Sequence, residues 1–258
     1  MQKTTKISPN KVLVILLLLM SFATTMSVYF DVGLVTKIIT LITVALLLTG
    51  YFCQLYKMAN VFLTIFLVFF IGDAFSVFDF GDLSSKLSKV FYIGAYLLLI
   101  FVLLGKLKKV KFEGLVTVYL IVVLLLNTYF LYTLYDVAKS NFIDNTNLIL
   151  YICHGIALIA LTYFGFAVYL SRETAQSITF LLMIFCFVFS DVLNYICDMY
   201  VYFWVFELFQ IILHTSGLFL LYKYVYDYQT NRHTNERVDI SKYFITTTEK
   251  LRQMPVNF

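Results

Sequence analysis

Long apolar runs parted by short polar ones set the pattern of this chain. Eight such runs lie at about residues 11–30, 34–53, 58–78, 87–105, 114–135, 148–169, 176–197 and 202–223. Each is close to the roughly 20 residues that a helix needs to cross a hydrocarbon core. A backbone in hydrocarbon must satisfy its own hydrogen bonds, so each run is predicted as an α-helix. The pattern therefore reads as an all-α integral membrane protein, a bundle of eight transmembrane helices within residues 1–223. Residues 224–258 form the only segment of soluble character, a tail in which Arg232 and Arg237 alternate with Asp227, Glu236 and Asp239. No Pro-, Gly- or Ser-rich linker divides the rest, which argues for a single membrane domain. The first run follows Lys3, Lys6 and Lys11 as a signal peptide would, but it is long and "SFATTMSVYF" offers no clear small-x-small cleavage site. It is counted as helix one.

Composition agrees with the pattern. At 61% hydrophobic and 13% charged, with a mean hydropathy of +0.88, the chain has too few charges to cover a globule in water. Its 20 Tyr and 27 Phe suit helices that meet both lipid and the headgroup belt. The net charge of +4 calls for no nucleic acid, because membrane proteins gather Lys and Arg on one side. With the N-terminus placed in the cytoplasm, 15 of the 19 basic residues fall inside, and only Lys37, Lys86, Lys89 and Lys139 fall on or near the other side. That asymmetry predicts eight spans with both termini cytoplasmic, in a multi-pass protein of the cytoplasmic (inner) membrane. Cys53, Cys153, Cys186 and Cys197 have neither CxxC nor ligand spacing and read as small packing residues, so no metal site is expected.

Against this background a few polar groups stand out. An ionised Asp inside a span costs at least about 2.5 to 3.5 kcal/mol on insertion scales, and such groups face a bundle interior or a wet cavity. Asp191 in "FVFSDVLNYICD" and Asp73 in "FFIGDAFSVFD" lie about 6 to 8 Å outward from the middle of helices seven and three, at 1.5 Å of rise per residue. His154 on helix six and Glu207 on helix eight fall at a similar depth, and Asn127 on helix five about 3 Å outward. On helix seven Asp191, Asn194, Tyr195 and Asp198 follow the i, i+3, i+4, i+7 spacing of one face, and Asp73 with Ser76 repeats its start. These positions predict a polar pocket in the outer half of the bundle, built around Asp73 and Asp191. Plainer readings accompany the other residues. Glu207 suits an interfacial charge, His154 a bonded core histidine, and Asn127 and Asn194 interhelical hydrogen bonds. His214, near the middle of helix eight, suits either role.

Several stretches together resemble the YhhN-type lysoplasmalogenase family, which also has eight spans. "IGDAF", "FYIGAYLLL", "LYICHGIALIAL" and "FCFVFSDVLNYI" match its pattern of a Gly-Asp on helix three, Phe-x-x-Gly opening helix four, a Tyr on helix six and a Ser-Asp on helix seven. Here these residues are Gly72 and Asp73, Phe91 and Gly94, Tyr151, and Ser190 and Asp191. The family's His and Tyr further along helix four fall near Ile100 and Leu103, both apolar in this chain.

The resemblance implies hydrolysis of the vinyl ether bond of a lysoplasmalogen-type lysophospholipid, giving an aldehyde and a glycerophospho-base. An enol ether hydrolyses by proton transfer to carbon, which forms an oxocarbenium ion that water attacks. The site must then supply an acid, an anion and a placed water, and neither metal nor other cofactor is needed. Asp73 and Asp191 are the expected catalytic pair. Tyr151, His154, Ser190, Asn194, Tyr195, Glu207, His214 and Asn127 are expected to hold water or substrate. The expected partners are a lysophospholipid or other lipid and the membrane itself, with no nucleic acid. A competing reading is a non-enzymatic lipid- or proton-linked carrier or binding protein whose two Asp residues titrate as solute moves. The scarcity of Gly and Pro, 10 and two, weighs against the broken helices common in transporters.

Overall fold

The computed structural model of the protein describes residues 9–30, 32–52, 60–78, 81–107, 114–141, 144–172, 174–200 and 202–227. Most of the basic loop residues, Cys53 and the tail from residue 228 lie outside these described residues. The described chain is helical: α1 (Pro9–Tyr29), α2 (Gly33–Phe52), α3 (Asn60–Val77), α4 (Asp82–Leu107), α5 (Leu115–Asn141), α6 (Asn145–Arg172), α7 (Ala175–Met199) and α8 (Trp204–Asp227). Seven of them, α2 to α8, are long and apolar enough to cross a membrane, and the described apolar stretch of α1 is the shorter Val14–Tyr29. The protein is a multi-pass membrane protein.

The outer faces bear this out. Leu18 is 66% exposed, Leu125 63% and Tyr129 72%, which in water would form an apolar patch far beyond that of a soluble monomer. In lipid these faces are at home. Buried residues gather instead at the centre: Val44 and Leu47 of α2, Phe66 and Phe69 of α3, Tyr96 and Leu99 of α4, Leu161 of α6, Met183 and Phe187 of α7, and Leu221 of α8. Helix α4 packs most extensively on α3 and α6, while α5 rests on α6 at the periphery. Ile100 and Leu103 belong to this apolar core.

Several elements run past the ends that hydropathy gives, while α3 (Asn60–Val77) stops short of 78 and α8 starts at Trp204 rather than 202. Helix α4 begins at Asp82 rather than 87, α6 spans Asn145–Arg172 rather than 148–169, and α8 continues to Asp227 rather than 223. Hydropathy marks only the part in hydrocarbon, while a helix continues for as long as its groups find partners. Tyr224 and Val225, at 2% and 1% exposure, extend the core past the expected start of the tail. At the other end of a helix, Thr174 caps α7, its hydroxyl accepting from the Ser177 N–H in a capping box that satisfies orphan donors of the first turn.

Candidate functional site

On α3 the buried positions Phe62, Ile65, Phe66, Phe69, Gly72 and Asp73 follow helical spacing, so one stripe passes from aromatic packing to a carboxyl. Gly72 allows α4 to come close, since a Cβ there would meet Phe91 Cβ at 3.5 Å and the Ser88 carbonyl oxygen at 3.6 Å. Ser88 Oγ donates to the Gly72 carbonyl at 2.8 Å across the same contact. Helix α8 approaches α7 in a similar way at Gly217, where a Cβ would stand 2.8 Å from the Phe187 ring, and Ser190 Oγ of α7 donates to the Gln210 carbonyl at 2.9 Å. These close approaches bring α3, α4, α7 and α8 around one space.

That space is a cavity of about 540 Å³, lined among others by Asp73, Tyr92, His154, Asp191 and His214. Its acidic groups are held by two tyrosines of α4. Tyr92 O–H donates to Asp73 Oδ1. Tyr96 O–H, 2.7 Å away, donates to Asp191 Oδ2. His154 Nε2 lies 2.8 Å from that same oxygen, and His214 Nε2 lies 3.5 Å from Asp73 Oδ1. Each carboxyl therefore has one oxygen engaged, and Asp73 Oδ2 has no hydrogen-bond partner among the described residues. Aromatic rings close the floor. Phe69 stacks on Phe187 at 5.1 Å, and His214 meets Phe69, Tyr92 and Phe187 edge-on. With Nε2 donating to Asp191, His154 keeps a buried Nδ1 that has no partner among the described residues.

The cavity is also lined by charges of both signs: Lys37, Lys89, Asp198 and Glu207. Lys86 and Asp144 lie outside it and join the starts of α4 and α6 at 2.6 Å. The Lys86 N–H, and after it the Thr146 backbone N–H, hold the Asp144 carboxyl below the usual carboxylate range.

The residues singled out from sequence fall into three groups. Asp73, Asp191, His154, His214, Tyr151, Ser190, Asn194, Tyr195 and Glu207 all line the cavity. Within that set Tyr151 stacks on Tyr195 at 4.8 Å, Tyr195 O–H donates to the Leu134 carbonyl of α5, and Glu207 accepts from Tyr202 O–H at 2.6 Å. Asn127 does not join them: its Nδ2 donates to the Val123 carbonyl of its own helix at 2.8 Å, because depth alone does not fix the direction in which a helix side chain points. Phe91 and Gly94 pack rather than line the site, Phe91 against Phe75 at 5.5 Å and Gly94 against Val68. Sequence reasoning missed Tyr92 and Tyr96. Their i, i+4 spacing at the depth of the two Asp residues was the available signal.

No protein-family model matches this chain, and neither curated proteins nor solved structures return a match.

Proposed function

We propose that this protein is a membrane-embedded lipid hydrolase resembling the YhhN-type lysoplasmalogenases, which cleaves the vinyl ether bond of a lysophospholipid. One observation carries the reading: a buried carboxyl, Asp73, and a half-buried one, Asp191, line one cavity, each held through one oxygen by a Tyr and approached by a His, with Asp73 Oδ2 left without a hydrogen-bond partner among the described residues. Asp191, with donors from Tyr96 and His154, is equipped as the anion. Asp73, 4% exposed with Oδ2 unpartnered, is equipped as the acid, because a bare ionised oxygen at such depth is costly.

The Asp73 carboxyl gives its proton to the β-carbon of the vinyl ether, and the oxocarbenium ion that forms is stabilised by the Asp191 carboxylate. Water then adds to the α-carbon while its proton passes to a carboxylate, leaving a hemiacetal. Collapse of the hemiacetal breaks the bond to the glycerol oxygen, which takes up a proton as the aldehyde departs. One water is consumed and the acid is restored. General acid catalysis of this kind contributes about 10²- to 10⁴-fold.

In this reading the chain crosses the cytoplasmic (inner) membrane eight times, α1 included, with both termini and the tail in the cytoplasm. The distribution of basic residues supports that orientation, and it turns the charged residues of the cavity toward the outer headgroups. A reporter fused at the C-terminus should then be cytoplasmic, and one inserted near Asp144 external. The decisive assay offers alkenyl-, alkyl- and acyl-lysophospholipids to purified protein. Fatty aldehyde from the alkenyl substrate alone is expected. Fatty acid from the acyl substrate would mean a different hydrolase, and binding without any product would favour the carrier.

A further inference from the structure

A second cleft, of about 270 Å³, lies between α1, α2 and α8, and its walls include Leu17, Leu18, Thr24, Thr43, Thr215 and Phe219. Ile211 lines both this cleft and the polar cavity. On α8 the polar cavity takes Glu207, Gln210, Ile211 and His214, whereas the cleft takes Ile211, Ile212, Thr215 and Phe219. At about 100° per residue these are adjoining stripes with Ile211 on the seam. Helix α2 shows the same step, with Thr36 and Thr40 facing the cavity and Thr43, one turn further along, facing the cleft. Tyr29 and Trp204 meet at 6.0 Å, so the end of α1 and the start of α8 share a level. The α1 residues of the cleft stop at Thr24, which puts them at least about 8 Å deeper than that level. The cleft thus continues the cavity toward the middle of the bundle.

Two of its five hydroxyl side chains are turned back into their own helices. Thr24 Oγ1 donates to the Met20 carbonyl and Thr43 Oγ1 to the Ile39 carbonyl, both at 2.8 Å within their own helices, and methyl groups remain for an occupant to meet.

We propose that this cleft seats the hydrocarbon chain of the lysolipid, with Ile211 at the point where headgroup gives way to chain. The inference rests on the hydrolase reading and adds to it the place of the chain. A vinyl ether joins the polar glycerol to the first carbon of an apolar chain, so a site that cleaves it needs one wet compartment and one apolar compartment on either side of the acid. The polar cavity carries Lys37, Lys89, Asp198 and Glu207, partners for a charged headgroup, and among the described residues the cleft carries no charged side chain.

Photolabelling tests the assignment without turnover. The full-length protein in phosphatidylcholine vesicles is given an uncleavable alkyl-ether lysophosphatidylcholine with a diazirine at its chain end, and the adducts are mapped by peptide mass spectrometry. Label is expected on α1 between Val14 and Thr24 and on α8 between Ile212 and Phe219, removable by excess lysolipid but not by diacyl lipid. Label spread over outward residues such as Leu125 and Tyr129, or equal labelling of the cleft by a diacyl probe, would overturn the proposal. Ser21→Trp and Ser216→Trp, each filling the cleft from a different helix, should raise KM for long-chain alkenyl substrate by about 10- to 100-fold while sparing a short-chain one, by the methylenes displaced. Equal effects on both chain lengths in folded variants would count against it. Aldehyde release with label elsewhere sinks the chain site alone; cleft label with no aldehyde from any substrate sinks the hydrolase reading and leaves the lipid site standing.

Discussion

Deleting one hydroxyl isolates the part of the site that rests on hydrogen bonding. Tyr96 is wholly buried, its ring meets His154 edge-on at 5.4 Å, and its O–H reaches Asp191 Oδ2 at 2.7 Å. Tyr96→Phe keeps the ring and its packing and removes one of the two donors to that oxygen, leaving His154 alone at 2.8 Å. A hydrogen bond to a charged group is worth about 1.5 to 3 kcal/mol. At about 1.4 kcal/mol per decade, that becomes a loss of about 10- to 150-fold in kcat/KM for aldehyde release. The comparison that matters is with Asp191→Asn and with the double variant. Once the carboxylate is gone, the hydroxyl has no anion to hold, so Tyr96→Phe should add little in the Asn background. The double-mutant cycle should return a coupling close to the whole loss of the single variant. A folded Tyr96→Phe protein within about twofold of the parent would refute the reasoning, as would losses that simply multiply in the double variant.

Asp73→Asn and Asp191→Asn should each lose about 10²- to 10⁴-fold in turnover while staying monodisperse in detergent, since Asn keeps the shape of the carboxyl it replaces; aggregation of both would point to a purely structural role. Gly217→Ala should lower the thermal midpoint through about 1 to 3 kcal/mol of overpacking against Phe187, whereas Gly33→Ala, with nothing within 4 Å of its new Cβ, should not. A carboxyl held below its unfolded value, as Asp144 is by Lys86, contributes stability that is present above the ordinary carboxylate range and is lost as pH falls through the lowered value. Lys86→Gln should therefore flatten a small acid-side decline in the unfolding midpoint, and added salt should do the same to the parent because the pair is exposed.

Hydropathy made the helices legible because a span in hydrocarbon needs about 20 predominantly apolar positions. It could not give their ends, which depend on burial beyond the hydrocarbon, as at Tyr224 and Val225. Asp73 and Asp191 stood out in sequence because a carboxyl in lipid has to be accounted for. Tyr92 and Tyr96 did not, because a tyrosine is ordinary in a chain with 20 of them and its amphipathic ring suits either core or interface. Asn127 shows the converse limit: it shared the depth of the site, but hydrogen-bonding to its own helix satisfied it there.

Both tyrosines that hold the carboxyls belong to α4, one turn apart. The backbone positions of the two anchors are thus spaced by a single helix, about 6 Å of rise over four residues, and not by how α3 and α7 happen to lean. A thicker or thinner bilayer tilts helices against one another. Tilting α4 carries both anchors together and leaves their separation intact, as marks on one ruler stay apart by the same amount when the ruler is turned. The charged residues have no such common rule, since Lys37, Lys89, Asp198 and Glu207 stand on four different helices. Bilayer thickness should accordingly alter how readily a headgroup is admitted far more than how the two carboxyls are spaced.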